Sequence, residues 1–507
     1  MKRPGGLNWS TGGRPAAVIP GLTFAAAAAA GIALRVWLYR SALGIPNSDE
    51  AVVGLMTRHM IDGQFATFFW GQAYGGSQEA LLAVPGFVIA GSGWLALRAI
   101  PLVLFLATLV LVWRIGLRTI GPRAASVAVA LYWIWPSFVI YVLTHELGFY
   151  GSDVFYCALV LLLALRLAEQ PDRARAGLLG LVAGLAFWQT SQIVPIIVAV
   201  VAWIVWTERG ALRRLWIALI GAAIGASPWL AWNLTHGWAS LSLPSGAETS
   251  YEHRLRVFFS PVLPMMLGLR TPVSQKPLLP SAALVDAIYV ALLALFLVGA
   301  YRARHRPASL LYVVAAVYPF VYGLASQTFD SSDPRYVVVL TPVLSLLAAQ
   351  LMTGQIRALV ILAGIAVVSL VTLQRLERLP TRALTSAALP TAPRNLEPLV
   401  STLDGLHLDR VYAPYLLAYV LDFDTKERIV AVEAKFDDVE FVGGQAVLPH
   451  HPSVRQPAYL REVAAAPRRG IVLFRTDIGT VPIIGALERH GFRRTAVGPF
   501  VVFSPPG

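Results

Sequence analysis

The feature that most constrains this chain is a series of long apolar stretches, about eleven of them, recurring between Ala16 and Leu373. Most approach the roughly 20 residues that a helix needs to cross the hydrocarbon core of a bilayer. In lipid the backbone must satisfy its own hydrogen bonds, so such stretches fold as helices. Only 14% of the residues are charged, against about 25% in a soluble domain. The chain therefore reads as a polytopic α-helical membrane protein with about 11 transmembrane helices. Its net charge of +13 comes largely from Arg clusters that flank the spans, such as Arg114, Arg118 and Arg123, or Arg302, Arg304 and Arg306. If the first span, Ala16 to Tyr39, starts inside, almost all of these clusters fall on the cytoplasmic side. That explains the charge without a nucleic-acid partner. The first span is too long for a signal-peptide core and is expected to be retained. One cysteine, Cys157, allows neither an internal disulfide nor a Cys-based metal site.

This layout divides the chain at residue 379. Residues 1–379 form the membrane core, with external loops 44–79, 142–151, 233–280 and 326–335. Leu81 to Ala90 is apolar but short and interrupted by Pro85 and Gly86, so it is expected to lie in the interface. Residues 380–507 read as an α/β domain. Strands are expected at Arg410–Ala413, Arg428–Val432, Gly470–Phe474 and Ala496–Phe503. Helices are expected at Tyr415–Asp422, Tyr459–Ala466 and Pro482–His490. An odd number of spans places this domain outside, on the side of loop 44–79.

Loop 44–79 is richer in chemistry than a connection requires. It carries Asp49-Glu50, the Gly-rich turn Tyr74-Gly75-Gly76, Glu79 and a row of aromatics. The same external face would gather His145, Glu146, Asp153, Arg335 and Tyr336. Carboxylates there can take a proton from an acceptor hydroxyl or hold a divalent cation. An Arg can neutralise a phosphate leaving group through paired hydrogen bonds. A base plus a phosphate clamp is what transfer from a lipid-phosphate donor needs. The spans hold few ionisable groups, which argues against a pump.

Four short motifs in fixed order carry a resemblance. They are Asp49-Glu50 after the first span, Tyr74-Gly75-Gly76-Ser77-Gln78-Glu79, His145-Glu146-Leu147-Gly148-Phe149-Tyr150, and Asp333-Pro334-Arg335-Tyr336 opening a late span. Residues 16 to 375 thereby resemble the GT-C superfamily of membrane glycosyltransferases. The similar branches are the protein O-mannosyltransferases, the aminoarabinose transferases and the rhizobial lipopolysaccharide galacturonosyltransferases. The resemblance implies a polyprenyl-phosphate sugar donor and inversion at the anomeric carbon. It makes Asp49 the candidate base, with Glu50 beside it. An acidic residue in the second external loop often helps to bind metal or donor in such enzymes; here Glu146 and Asp153 both qualify.

The expectations are therefore these. Asp49 and Glu50 are catalytic, and Arg335 and Tyr336 bind the donor phosphate. Tyr74, Glu79, His145, Glu146 and Asp153 are substrate or metal candidates. A divalent cation, Mg or Mn, is compatible with Asp49, Glu50 and Glu146, and the sequence establishes no cofactor. The partners are the bilayer, the lipid-linked sugar and a cell-envelope glycan, lipid or protein acceptor. The Ala-, Arg- and Gly-rich composition suits a bacterial inner-membrane protein. A transporter or flippase for a lipid-linked glycan is the alternative, and it predicts internal repeats. Asp422-Phe423-Asp424 spells a pattern of nucleotide-sugar transferases but reads as a turn at a helix end, and Ser48 reads as the cap of the helix that follows it.

Overall fold

A computed structural model describes residues 21–207, 210, 213–242, 249–325, 333–352, 355–378, 393–452 and 454–506. The expected domain boundary at 379 and most of loop 326–335 lie outside these residues. A helix lies at each of the eleven expected spans. By length and composition four of them are long and apolar enough to cross a bilayer: Trp94–Thr119, Tyr150–Glu169, Ala282–Ala303 and the last, Arg357–Glu377. Leu215–Gly225 and Ser227–Thr235, bent by 61°, count as a fifth if taken as one span.

Among the described residues, two of the others are broken for local reasons. The expected third span divides into Pro122–Ile134 and Ser137–Val142, because Pro136 lacks the N–H that would continue the ladder. The expected tenth begins as a 3₁₀ helix, Pro334–Leu340, before Thr341–Ala349 becomes α-helical.

We label the helices that build the site α1 (Gly21–Arg40), α2 (Ser48–Ile61), α3 (Gln78–Ala90), α4 (Trp94–Thr119), α5 (Pro122–Ile134), α6 (Ser137–Val142), α7 (Tyr150–Glu169) and α8 (Arg173–Gln189). In α4, Arg118 pairs with Glu169 of α7 at 3.2 Å, which marks one end of the bundle. At the other end the last helix returns beside α1, where Glu377 accepts from the Ala42 amide at 3.1 Å. Loop 44–79 caps this end: the Gly76 amide donates to the Gln189 carbonyl of α8 at 2.6 Å. Gln189 Nε2 donates in turn to the Gly148 carbonyl at 3.1 Å. External loops expected far apart in sequence are thus hydrogen-bonded to one another.

The C-terminal region holds a five-stranded mixed sheet. Its strands are β1 (Arg410–Ala413), β2 (Val430–Glu433), β3 (Gly470–Phe474), β4 (Arg493–Val497) and β5 (Phe500–Ser504), in spatial order β2-β1-β3-β5-β4. β1 pairs in parallel with β2 and β3, and β5 pairs antiparallel with β3 and β4. The last expected strand is therefore a hairpin. Gly498 sits at φ +54° in its turn, a conformation that glycine adopts without the Cβ penalty. A second small hairpin, Glu440–Val442 with Gln445–Val447, was not expected.

The sheet shares one hydrophobic core with α2 and α3. Gly54 of α2 lies so close to Phe423 that an added Cβ would stand 2.3 Å from the ring. The first external loop and the C-terminal region are packed together, and Asp49 lies at that junction.

Candidate active site

Asp49 and Glu50 open α2. Asn47, not Ser48, is the cap: its side chain accepts from the Glu50 amide at 3.0 Å, and Glu50 reaches back to the Asn47 amide. This reciprocal box fixes the first turn. Ser48 instead donates its hydroxyl to the Tyr415 carbonyl, tying the turn to the C-terminal region.

Successive helix residues are turned by about 100°, so the two carboxylates face different surroundings. Glu50 points inward and is fully buried. Arg98 of α4 grips it through Nε–Oε1 at 3.0 Å and Nη2–Oε2 at 2.7 Å, and Oε1 also accepts from the Glu146 amide at 3.1 Å. The remaining Arg98 nitrogen, Nη1, donates to the Gly44 carbonyl at 3.0 Å. Glu50 thus joins α2 to α4 and to the loop before α7.

Asp49 points outward, with 38% of its side chain exposed. Its Oδ1 accepts from the Tyr415 hydroxyl and lies 3.8 Å from Arg455 Nη2. Oδ2 has no hydrogen bond among the described residues. Tyr415 and Arg455 belong to the C-terminal region, and the sequence pointed to neither as a site residue. Arg455 Nε also donates to the Tyr415 hydroxyl at 3.2 Å, and its guanidinium lies 5.1 Å from the Phe69 ring centre. Burial pulls the Arg455 guanidinium down, but the neighbouring Tyr415 and Asp49 outweigh it and leave it above its ordinary value. Burial pushes the Tyr415 phenol well up, and the Asp49 charge adds to this. Tyr415 is therefore a neutral donor and Arg455 a fixed cation beside Asp49. Tyr74 lies within electrostatic reach of both Arg455 and Asp49.

A second group lies beneath. Glu79 Oε1 accepts from the Ser152 amide at 2.7 Å and hydroxyl at 2.5 Å, joining α3 to the start of α7. Glu146 is fully buried next to it. Burial, then the Glu79 charge, raise the Glu146 carboxyl well above its usual range. Asp153 is buried in the first turn of α7, and neither of its oxygens has a partner among the described residues. His145 is buried as well, its Nδ1 2.8 Å from the Tyr141 carbonyl. These four support the outer end of the bundle rather than face an open cleft.

Arg335 forms the third group. It pairs with Asp333, with Nε–Oδ2 at 2.5 Å, and lies 5.9 Å from the Tyr336 ring centre. Tyr336 lies near Tyr150, with ring centres 6.4 Å apart. Tyr150 is within electrostatic reach of both Arg335 and Asp49. The 3₁₀ helix that carries Arg335 leads to Leu340, which lines an apolar cavity of about 480 Å³ bounded also by Trp135, Phe258, Leu263, Phe296 and Leu344.

The proposed cation ligands do not converge. Both Glu50 oxygens are engaged by Arg98, and Glu146 is buried beside Glu79. Among the described residues no three His, Cys, Asp or Glu side chains are grouped to hold a metal ion. This donor set does not fit a cation as arranged.

Comparison with known proteins agrees with this architecture. The family model described as dolichyl-phosphate-mannose-protein mannosyltransferase matches residues 80–232. ArnT from Cupriavidus metallidurans in the apo state is similar in structure at 15% identity, covering 96% of this chain and 97% of that one, with a TM-score of 0.57. The same protein bound to undecaprenyl phosphate is similar at 16% identity, with the same coverage and a TM-score of 0.55. The Archaeoglobus fulgidus oligosaccharyltransferase in complex with Zn and sulfate is similar at 13% identity, covering 94% of this chain and 72% of that one, with a TM-score of 0.52. No curated protein sequence matches the chain. The family match and the shared fold agree with the resemblance to the GT-C superfamily of membrane glycosyltransferases.

Proposed function

We propose that the chain is a multi-pass membrane glycosyltransferase that moves a sugar from a polyprenyl phosphate to an acceptor hydroxyl, with inversion. The observation that carries this reading is Asp49. It is a half-exposed carboxylate with one oxygen held by Tyr415 and the other unpaired, on a helix whose first turn is locked by Glu50 and Arg98. Asp49 Oδ2 takes the acceptor proton while the acceptor oxygen attacks the anomeric carbon. The bond to the donor phosphate breaks on the opposite face, and the polyprenyl phosphate leaves with the bonding pair. Arg335 stabilises that departing charge. To do so its guanidinium must serve the phosphate and Asp333 together.

The apolar cavity supports a lipid donor. It begins at the helix that carries Arg335 and is lined almost wholly by hydrocarbon and aromatic rings, which suits an isoprenoid chain entering from the bilayer. Undecaprenyl phosphate, bound by the structurally similar ArnT, is the kind of lipid that such a donor leaves behind after transfer. Glu50 and Arg98 act as positioning residues, and Tyr74 borders the acceptor side. No step is assigned to a divalent cation. In a bacterial plasma membrane the acceptor would be a cell-envelope glycan, lipid or protein on the side that carries the C-terminal region.

The test uses purified protein in lipid with a panel of radiolabelled polyprenyl-phosphate sugars, wild type against Asp49→Asn. Release of free polyprenyl phosphate by the wild type alone, dependent on added acceptor, is the expected result. Equal release by both proteins would remove Asp49 from the mechanism. Movement of intact donor across a liposome membrane without bond cleavage would replace transfer with transport.

A further inference from the structure

A second cleft lies at the same end of the bundle, away from Asp49. It has a volume of about 540 Å³ and is formed between the loop Thr271–Pro280 and the end of the last helix. The loop is held closed by the Thr271 amide on the Lys276 carbonyl, at 2.9 Å, and by a bridge between Arg270 and Pro277. Arg375 Nη1, 3.4 Å from the Pro277 carbonyl, joins the loop to the helix.

Three cations line this cleft, Lys276, Arg375 and Arg378, and no carboxylate does. Among the described residues none of the three forms an ion pair. Nearby Arg270 differs: it is neutralised by Asp286 at 2.8 Å. Arg98, Arg335 and Arg455 are likewise engaged, with Glu50, Asp333 and Asp49. From Arg378 to Leu396 the sequence has no Asp or Glu. A second observation is independent of charge. Thr271 lines the cleft, is 1% exposed, and its hydroxyl has no hydrogen-bond partner among the described residues. A buried hydroxyl without a partner costs about 1–3 kcal/mol, which a ligand oxygen would relieve.

Isolated interfacial Lys and Arg side chains lie apart and snorkel to water. Three unpaired cations around one concavity repel each other and create a positive field that concentrates anions. Arg offers paired donors to a phosphate, and Lys a point charge. The floor of the cleft includes Leu278 and Leu279, and the adjacent helix Gln355–Glu377 presents exposed apolar side chains such as Val360, Val367 and Val371. Polar mouth and apolar flank together match an amphiphile. The volume falls in the range of ligand pockets, roughly 300–1,000 Å³, so it takes a phosphate with the group that carries it.

We infer that this cleft binds the phosphate of an anionic amphiphile at the membrane surface, through Lys276, Arg375 and Arg378, with the Thr271 hydroxyl on a phosphate oxygen. This site stands whether or not the transfer reaction proposed above is correct.

The experiment uses the full chain in detergent and native mass spectrometry, titrated with phosphatidic acid or phosphatidylcholine. Preferential retention of phosphatidic acid is expected, weakened at least tenfold in Lys276→Gln/Arg375→Gln/Arg378→Gln and reduced by salt. Thr271→Val, which changes no charge, should lower retention as well. Competition by millimolar inorganic phosphate would assign free phosphate as a ligand of the same site. Lack of competition would assign the intact amphiphile. Should the triple variant not fold, a photoactivatable phosphatidic acid on the wild type gives the answer, with label expected in 269–280 or 374–378. Equal retention of the two lipids, wild-type retention by the folded triple variant, or label confined to other segments would overturn the site.

Discussion

Arg455 Nη2 stands 3.8 Å from Asp49 Oδ1, and the Tyr415 hydroxyl lies between them, hydrogen-bonded to both side chains. A cation from the C-terminal region thus faces the carboxylate that the first external loop presents. Arg455→Gln removes that charge and the hydrogen bond that holds the Tyr415 hydroxyl in place. A misplacement of about 1 Å can cost about 10²-fold in rate, so kcat/KM for transfer should fall by about 10- to 10²-fold. Tyr415→Phe removes the hydrogen bond to Oδ1 and should lower kcat/KM as well. Unchanged kcat/KM in both folded variants would mean that Tyr415 and Arg455 serve the structure alone.

The two neighbouring carboxylates should separate cleanly in mutagenesis. Asp49→Asn is expected to lower kcat/KM by about 10²–10⁴-fold, the usual contribution of a positioned base, with little change in thermal stability because the side chain is half-exposed. Glu50→Gln breaks the buried pair with Arg98 and leaves a charge without its partner. It should cost about 3–5 kcal/mol of stability, read as an earlier thermal transition in detergent. A stable, inactive Glu50→Gln would instead give Glu50 a direct part in the chemistry.

This contrast bounds what the sequence could reveal. The apolar spacing located a helix at each expected span, and the strand–helix alternation located most of the C-terminal elements, because both follow from local periodicity. Adjacent acids at a helix start were visible too, but their opposite orientations were not. Which one faces inward depends on where Arg98 of α4 arrives, a long-range fact. Arg455 and Tyr415 carried no signal at all. They sit in a region with no motif, and long-range contacts such as the packing of Phe423 against Gly54 and the Ser48 hydroxyl on the Tyr415 carbonyl bring them to α2. The missed hairpin at Phe500–Ser504 had a local cue in Gly498, which the reading passed over as part of one strand.

The junction between α2 and the C-terminal region should respond to pH. His59 Nε2 lies 2.7 Å from Glu427 Oε1, which also accepts from the Tyr459 hydroxyl at 2.5 Å. The hydrogen bond to Glu427 raises the His59 imidazole above its ordinary 6.5, against the effect of burial. Burial opposes ionisation of Glu427, but the bonds from His59 and Tyr459 prevail and hold it below its ordinary 4.5. The stability from His59 is present in full below pH 6.5 and is lost as pH rises through its raised value. That from Glu427 is present above pH 4.5 and is lost as pH falls through its lowered value. Both contribute fully between 4.5 and 6.5. The protection of the α2 amides relative to their intrinsic exchange rates should be greatest in that window and fall on its alkaline side. His59→Gln should abolish the alkaline change.

The closest helix contact offers the last test. Gly184 of α8 packs on the helix Leu215–Gly225 so tightly that an added Cβ would stand 2.1 Å from the Ala222 carbonyl oxygen. Gly225 meets the Leu181 carbonyl oxygen in the same way, at 2.2 Å. Small residues let helix backbones approach where lipid provides no hydrophobic drive. Gly184→Ala must push the two backbones apart, since a carbonyl cannot swing aside as a side-chain tip can. A loss of about 1–3 kcal/mol is expected. The damage should reach the site, because α8 ends in Gln189, whose carbonyl and amide hold Gly76 and Gly148. Transfer by Gly184→Ala should therefore fall along with its thermal stability. Gly364 is the control: it lies in the last helix with nothing within 4 Å of an added Cβ. Gly364→Ala should leave both measurements unchanged or slightly improved, as alanine is the better helix former. Equal losses from the two substitutions would remove close packing as the cause.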